Sequence, residues 1–192
     1  RPYFRNAKVM IDFNNFVEAR ELIDKGLEID PNSITGKILL LNVLSGNEII
    51  SRKEEFSMFK YKNVEAQKII AQKVFQIDPQ FALEYLDVQN PKHHLLISQC
   101  FFEMNNLPDS LSFANKFISY NPREISGFLN GGWILIEMEN YSEAGNFFDM
   151  ALGIDGLCSE ALYGKGLVMK RKGEDYSMYQ LILSQRDSEL VI

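Results

Sequence analysis

The chain is poor in the residues that carry chemistry. Its 192 residues include two histidines, His93 and His94, and two cysteines, Cys100 and Cys158. Adjacent helical residues point about 100° apart, so the two imidazoles cannot converge on one metal ion. No cysteine or carboxylate stands at a ligand spacing from them. Two distant cysteines make neither a disulfide framework nor a zinc pattern. They read as small buried hydrophobes, which favours a reducing compartment. Positive charge is scarce too: the formal net charge is −6. The densest basic run, Lys170-Arg171-Lys172, is too short to track a phosphate backbone, so no nucleic-acid partner is expected. At the end of a helix, such a run complements the helix dipole instead.

Other signals are missing. No apolar stretch reaches the ~18–20 residues of a membrane span, and no signal peptide is visible. The chain opens in mid-pattern at Arg1, without a methionine. That start leads us to expect a piece of a longer protein, so the absence of targeting signals carries little weight; a cytoplasmic location is expected. There is no glycine-rich phosphate loop, because Gly131-Gly132 falls in mid-helix by pattern with no strand before it. No nucleophile elbow or Cys/His pair at a familiar spacing occurs. The carboxylate pairs Glu54-Glu55 and Glu174-Asp175 read as solvated helix surface. The expectation is therefore a protein that is not an enzyme and has no cofactor or metal site.

What is present is a repeat. Apolar residues at 46% and charged residues at 24% are the balance of a folded chain. Three segments share one spacing: Ala19, Ile23, Gly26, Pro31; then Ser110, Ala114, Phe117, Pro122; then Ala144, Phe148, Ala151, Gly156. Pro122 and Gly156 are 34 residues apart. Each segment follows an asparagine with an acid three residues later: Asn15/Glu18, Asn106/Asp109 and Asn140/Glu143. The spacing predicts an N-cap with a capping box. Pro108 fits a first helical turn. A proline or glycine then closes each unit. The periodicity predicts helices near 2–12, 16–29, 33–45, 48–59, 63–76, 80–87, 92–104, 107–119, 124–138, 141–153, 158–172 and 174–185, with no run long enough for a sheet. Asp187–Ile192 are expected to fray.

A helical hairpin cannot bury its apolar face alone, so such units must stack. The pattern resembles the tetratricopeptide repeat family. The residues Phe128, Gly131, Gly132, Leu135, Tyr141, Ala144, Phe148 and Ala151 carry the resemblance best, and Leu162, Gly166, Met169, Tyr176 and Met178 continue it. The resemblance implies an all-α fold, an α-solenoid of stacked helical hairpins over 1–192 with about five units. Departures occur in the middle. Pro31 to Pro79 is 48 residues and Pro79 to Pro122 is 43, against a repeat of 34. Insertions are expected within Ser45–Tyr61 and Phe81–Gln89, with irregular geometry and two sub-arrays meeting near 45–90.

The resemblance also implies a concave face lined by the first helix of each unit. Its partner-binding residues would be Leu95, Gln99 and Phe102; Leu129, Trp133 and Ile136; and Tyr163, Leu167 and Lys170. Phe4, Lys8 and Ile11, and then Ile38 and Asn42, would hold the same places in the first two units. Leu129, Trp133 and Ile136 are spaced i, i+4, i+7, a stripe distinct from the one through Phe128 and Leu135. One stripe packs in the hairpin. The other needs cover from a partner's apolar peptide or amphipathic helix, from a neighbouring part of the chain, or from a second copy. The function expected is an interaction scaffold or adaptor. The alternatives are a homodimeric structural subunit and an accessory domain of a secretion or assembly machine. The Lys/Asn carboxylate clamp of some relatives has no counterpart at Leu95, Gln99, Leu129 and Trp133.

Overall fold

In the computed structural model, described over residues 2–186, the chain is built of helices, and no strand occurs among those residues. It divides into two compact units, one up to Asp87 and one from Val88 onward.

The first unit opens with a hairpin of α1 (Pro2–Asp12) and α2 (Phe16–Ile29). It continues with α3 (Ile34–Val43), the short α4 (Gly46–Ser51) and α5 (Lys53–Phe56), a 3-10 turn at Ser57–Phe59, then α6 (Val64–Val74) and α7 (Pro79–Leu83). The single helix expected over 48–59 is thus broken. Ser45 caps α4 with a reciprocal Ser45/Glu48 capping box, and the chain turns again at Arg52. Ile49, Phe56 and Phe59 all reach the core and are at most 1% exposed, on either side of the break at Arg52. The insertion is therefore part of the packed unit. Lys73 on α6 ties it down, donating to the carbonyls of Asn42 and Leu44 at 2.7 Å each. These are carbonyls at the end of α3, which lack helical partners. A second correction concerns Pro79. It does not close the preceding helix but opens α7, with Asp78 as the N-cap.

The second unit contains α8 (His94–Glu103), α9 (Leu107–Tyr120), α10 (Ile125–Glu137), α11 (Tyr141–Ile154), α12 (Ser159–Lys172) and α13 (Ser177–Arg186). They pair as the hairpins α8/α9, α10/α11 and α12/α13, and α10 packs beside both α8 and α12. Each first helix ends in the same way. Asn105, Glu139 and Gly173 have φ of 56°, 58° and 74°, and Asn14 at the end of α1 has φ 57°. In each case the residue's own N–H and the next one return to carbonyls of the last turn. For the turn between α10 and α11 these are Glu139 N–H to Ile136 and Asn140 N–H to Leu135, both 2.9 Å. This is the Schellman turn.

The turn corrects the expected capping boxes. The backbone N–H groups of Asn15, Asn106 and Asn140 are already bonded to Met10, Phe101 and Leu135, so the acid three residues on cannot take them. Glu18, Asp109 and Glu143 instead accept from the asparagine side-chain amides, at 2.9, 2.8 and 2.7 Å. The asparagine oxygen still caps the helix.

The core of the second unit centres on Phe148, which is fully buried with Leu135, Ala144, Ala151 and Ala161. Its ring lies in a slot between Gly132 on α10 and Gly164 on α12. A Cβ built on either glycine would fall 2.7 or 2.4 Å from ring carbons. Ser98 and Ser110 lock α8 to α9 by exchanging hydroxyl-to-carbonyl bonds of 2.7 and 2.8 Å. Asp187–Ile192, expected to fray, lie outside the described residues.

Candidate functional site

Three neighbouring helices, α8, α10 and α12, place the expected partner-binding residues on one layer of the second unit. Leu95, Gln99 and Phe102 are half-buried on α8. Leu129, Trp133 and Ile136 are half-buried on α10, where they pack partly against the core. Tyr163 and Leu167 are half-buried on α12, and Lys170 is exposed. Each stripe runs beside a fully buried one, Ile97 and Cys100 on α8 and Ile134 and Leu135 on α10. The helices thus spend one face on the hairpin and leave the other partly open to water.

Trp133 stands at the centre. Its ring meets Phe148 edge-on at a centroid distance of 5.3 Å and Tyr163 at 6.0 Å. Its indole N–H donates to Glu160 Oε1 at 2.8 Å. A half-buried indole with its N–H satisfied is held in place while part of its apolar face stays available. Asn130, one turn away, donates to Ser98 Oγ at 2.7 Å and fixes α10 against α8. Lys170 has its ammonium 5.7 Å from the centroid of the Tyr176 ring, which draws it toward the end of α12.

Glu160 and Asn130 were not singled out from the sequence. Glu160 reads as an ordinary acid of a first helical turn, and its reach to the indole depends on how α12 lies against α10. Cys100 is fully buried, and burial pushes its thiol up to about 12; Cys158 is half-buried, and both are free. His93 and His94 are buried, and the His94 ring N–H bonds Val88 O at 3.0 Å. Among the described residues, no group of three His, Cys, Asp or Glu side chains is placed to hold a metal ion. No helix there is long and apolar enough to cross a membrane.

No protein-family model matches the chain, and no curated protein matches it in sequence. Solved structures do. PilF of Pseudomonas aeruginosa superposes with a TM-score of 0.71 at 18% identity, covering 97% of this chain and 91% of that one. YrrB, described as a TPR protein with an unusual peptide-binding site, superposes with a TM-score of 0.52 at 18% identity, covering 98% and 88%. The fold is the tetratricopeptide repeat fold. MamA, at 14% identity and a TM-score of 0.51, covers 95% of each chain. Within this fold, the chain carries its repeats in clearest form from α8 onward. There the hairpin turns at Asn105, Glu139 and Gly173 recur every 34 residues.

Proposed function

We propose that this protein is a protein-interaction module, not an enzyme, and that the layer of α8, α10 and α12 holds an apolar segment of a partner. The observation that carries the reading is Trp133. It is half-buried on a largely apolar layer, with its N–H bonded to Glu160 and its ring braced by Phe148 and Tyr163. A rigid, partly open aromatic of this kind is a typical energetic centre of an interface. The flanking places, Leu95, Gln99, Phe102, Leu129, Ile136, Tyr163 and Leu167, would supply shape, with Lys170 at the rim. The peptide-binding site named for YrrB, which shares the fold, supports a binding role.

Trp133 is the one tryptophan of the chain, so its emission reports on this layer directly. Dodecapeptides selected from a random display library should shift that emission on titration. By isothermal titration calorimetry, which needs no tryptophan, Trp133→Phe and Leu129→Ala should weaken them, and Trp133→Ala should cost roughly 2 kcal/mol or more, about thirtyfold in Kd. Selected peptides that bind Trp133→Ala as tightly as the wild type would rule the site out. A homodimer is tested by light scattering over a hundredfold range of concentration. A dimer whose dilution shifts Trp133 emission would assign the layer to self-association.

A further inference from the structure

The first helix leaves one side unpartnered. α1 packs on α2 and α3 through Phe4 and Ala7, which are buried, with Tyr3, Met10 and Ile11 half-buried beside them. At about 100° per residue, Pro2, Asn6, Val9 and Phe13 fall on another side, within about 60° of one another. All four are exposed, Phe13 at 77% and Val9 at 41%. Phe13 belongs to this face because its N–H bonds the Val9 carbonyl at 3.1 Å, which carries the helical register one residue past α1. The face is not the concave side, on which Phe4, Lys8 and Ile11 are expected: Val9 stands about 100–160° round the helix from each of them. Arg5 and Asp12 border the face on one flank, about 50° from Val9. Both are exposed. Asp30 lines a cavity with Arg5, yet neither Arg5 nor Asp12 makes an ion pair or side-chain hydrogen bond within the described residues.

The order of these residues is self-complementary. Arg5 and Asp12 are about 10 Å apart along the helix axis, and their midpoint falls beside Val9. When two copies of α1 pack antiparallel about a twofold axis at that point, like flanks meet. Arg5 of each copy then faces Asp12 of the other, so the pair forms twice. Val9 meets Val9 near the axis, and Phe13 enters the gap between Pro2 and Asn6 of the partner copy. A parallel pairing would set Arg5 on Arg5 and Asp12 on Asp12. Lys8, about 100° round from Val9, lies outside the contact. We infer that this face holds a second copy of the chain, in an antiparallel twofold dimer of α1 on α1. Its basis is charge complementarity in the one register that also joins the apolar residues. A contact between two helices of three turns is small and belongs to the weak, transient end of interfaces. The dimer does not rest on the reading of Trp133.

Sedimentation equilibrium on the full chain at low salt, from about 10 µM to about 1 mM, should show a reversible monomer–dimer equilibrium. Dilution should leave Trp133 emission unchanged. Phe13→Ser should weaken the dimer about tenfold or more. R5D and D12R should each weaken it about tenfold, because each sets like charges against one another twice. An acid early in α1 and a cation late in it both suit the helix dipole, and circular dichroism confirms folding. The decisive arms combine the two reversals. R5D/D12R in one chain should regain the wild-type affinity. An equimolar mixture of R5D with D12R should also dimerise, as a heterodimer in which every reversed charge meets its opposite. A structural defect in either variant would not be repaired by mixing. A monomer throughout, indifference to Phe13→Ser or to the reversals, or failure of either recovery would overturn the proposal. A dimer lost on Trp133→Ala would overturn it too, since self-association would then use the other unit.

Discussion

Gly164→Ala tests the packing of the second unit most directly. A Cβ at Gly164 would lie 2.4 Å from both Cε1 and Cζ of Phe148, so the ring must retreat by about 1 Å to reach ordinary contact near 3.5 Å. It has nowhere to go. The ring is fully buried, Gly132 also crowds it with its Cβ direction 2.7 Å from Cζ, and Trp133 packs edge-on at 5.3 Å. Overpacking of this kind costs about 1–3 kcal/mol, and a fully buried ring hemmed in this way belongs at the upper end. Alanine returns up to about 1 kcal/mol through helix propensity. The net expectation is a loss of about 1–2 kcal/mol, or a fall in Tm of roughly 2–8 °C for a chain of this size. Gly153→Ala is the internal control. It lies on α11 with nothing within 4 Å of the added carbon, so only the propensity gain remains, and stability should rise by about 0.5–1 kcal/mol. Urea unfolding followed by Trp133 emission reads both. A Gly164→Ala protein as stable as the wild type would show that the Phe148 slot is not tight, and the account of how α10, α11 and α12 interlock would fail.

Glu139 occupies a left-handed position, φ 58°, where Gly173 stands in the next turn. Glu139→Gly should therefore stabilise the chain by about 0.5–1 kcal/mol, seen as a higher urea midpoint; a lower midpoint refutes the strain. Lys73→Met removes both bonds to the carbonyls of Asn42 and Leu44 and should cost about 1–3 kcal/mol, with hydrogen exchange quickening first in α4; unchanged exchange there would count against the tether. Glu48 is held at about 2, below its ordinary 4.5, by the Arg20 guanidinium and then by Ser45. Because the folded value is the lower one, this contribution is present above about 4.5 and fades as the pH falls toward 2. Glu48→Gln should make Tm less sensitive to pH across that window, and an unaltered profile would show that the pair adds nothing.

Much of the fold was legible because it is local. The helices at 2–12 and 16–29 occur as the periodicity places them, and those at 107–119 and 141–153 end within one residue of expectation. The hairpin is bounded by short-range chemistry, an asparagine cap at one end and a proline or glycine past the other. The segment 48–59 was not legible in the same way, because Ile49, Phe56 and Phe59 share one face of an unbroken helix, and the apolar pattern therefore does not announce the break at Arg52. The reciprocal partner in the capping boxes was missed for a related reason. Whether a backbone N–H is free depends on the turn before it, and three of the left-handed turn positions are Asn or Glu, which do not announce themselves as glycine does.

The sequence alone determined the repeat, the helix periods, the caps and the stripe of Leu129, Trp133 and Ile136, since each depends on residues within about one or two turns. Tertiary structure alone decided how open that stripe is and that Glu160 secures the indole. Those facts depend on the lateral placement of one helix against the next. That placement is set by side-chain volumes summed over the contact, here the Phe148 ring against two glycines, and a one-dimensional pattern does not contain it.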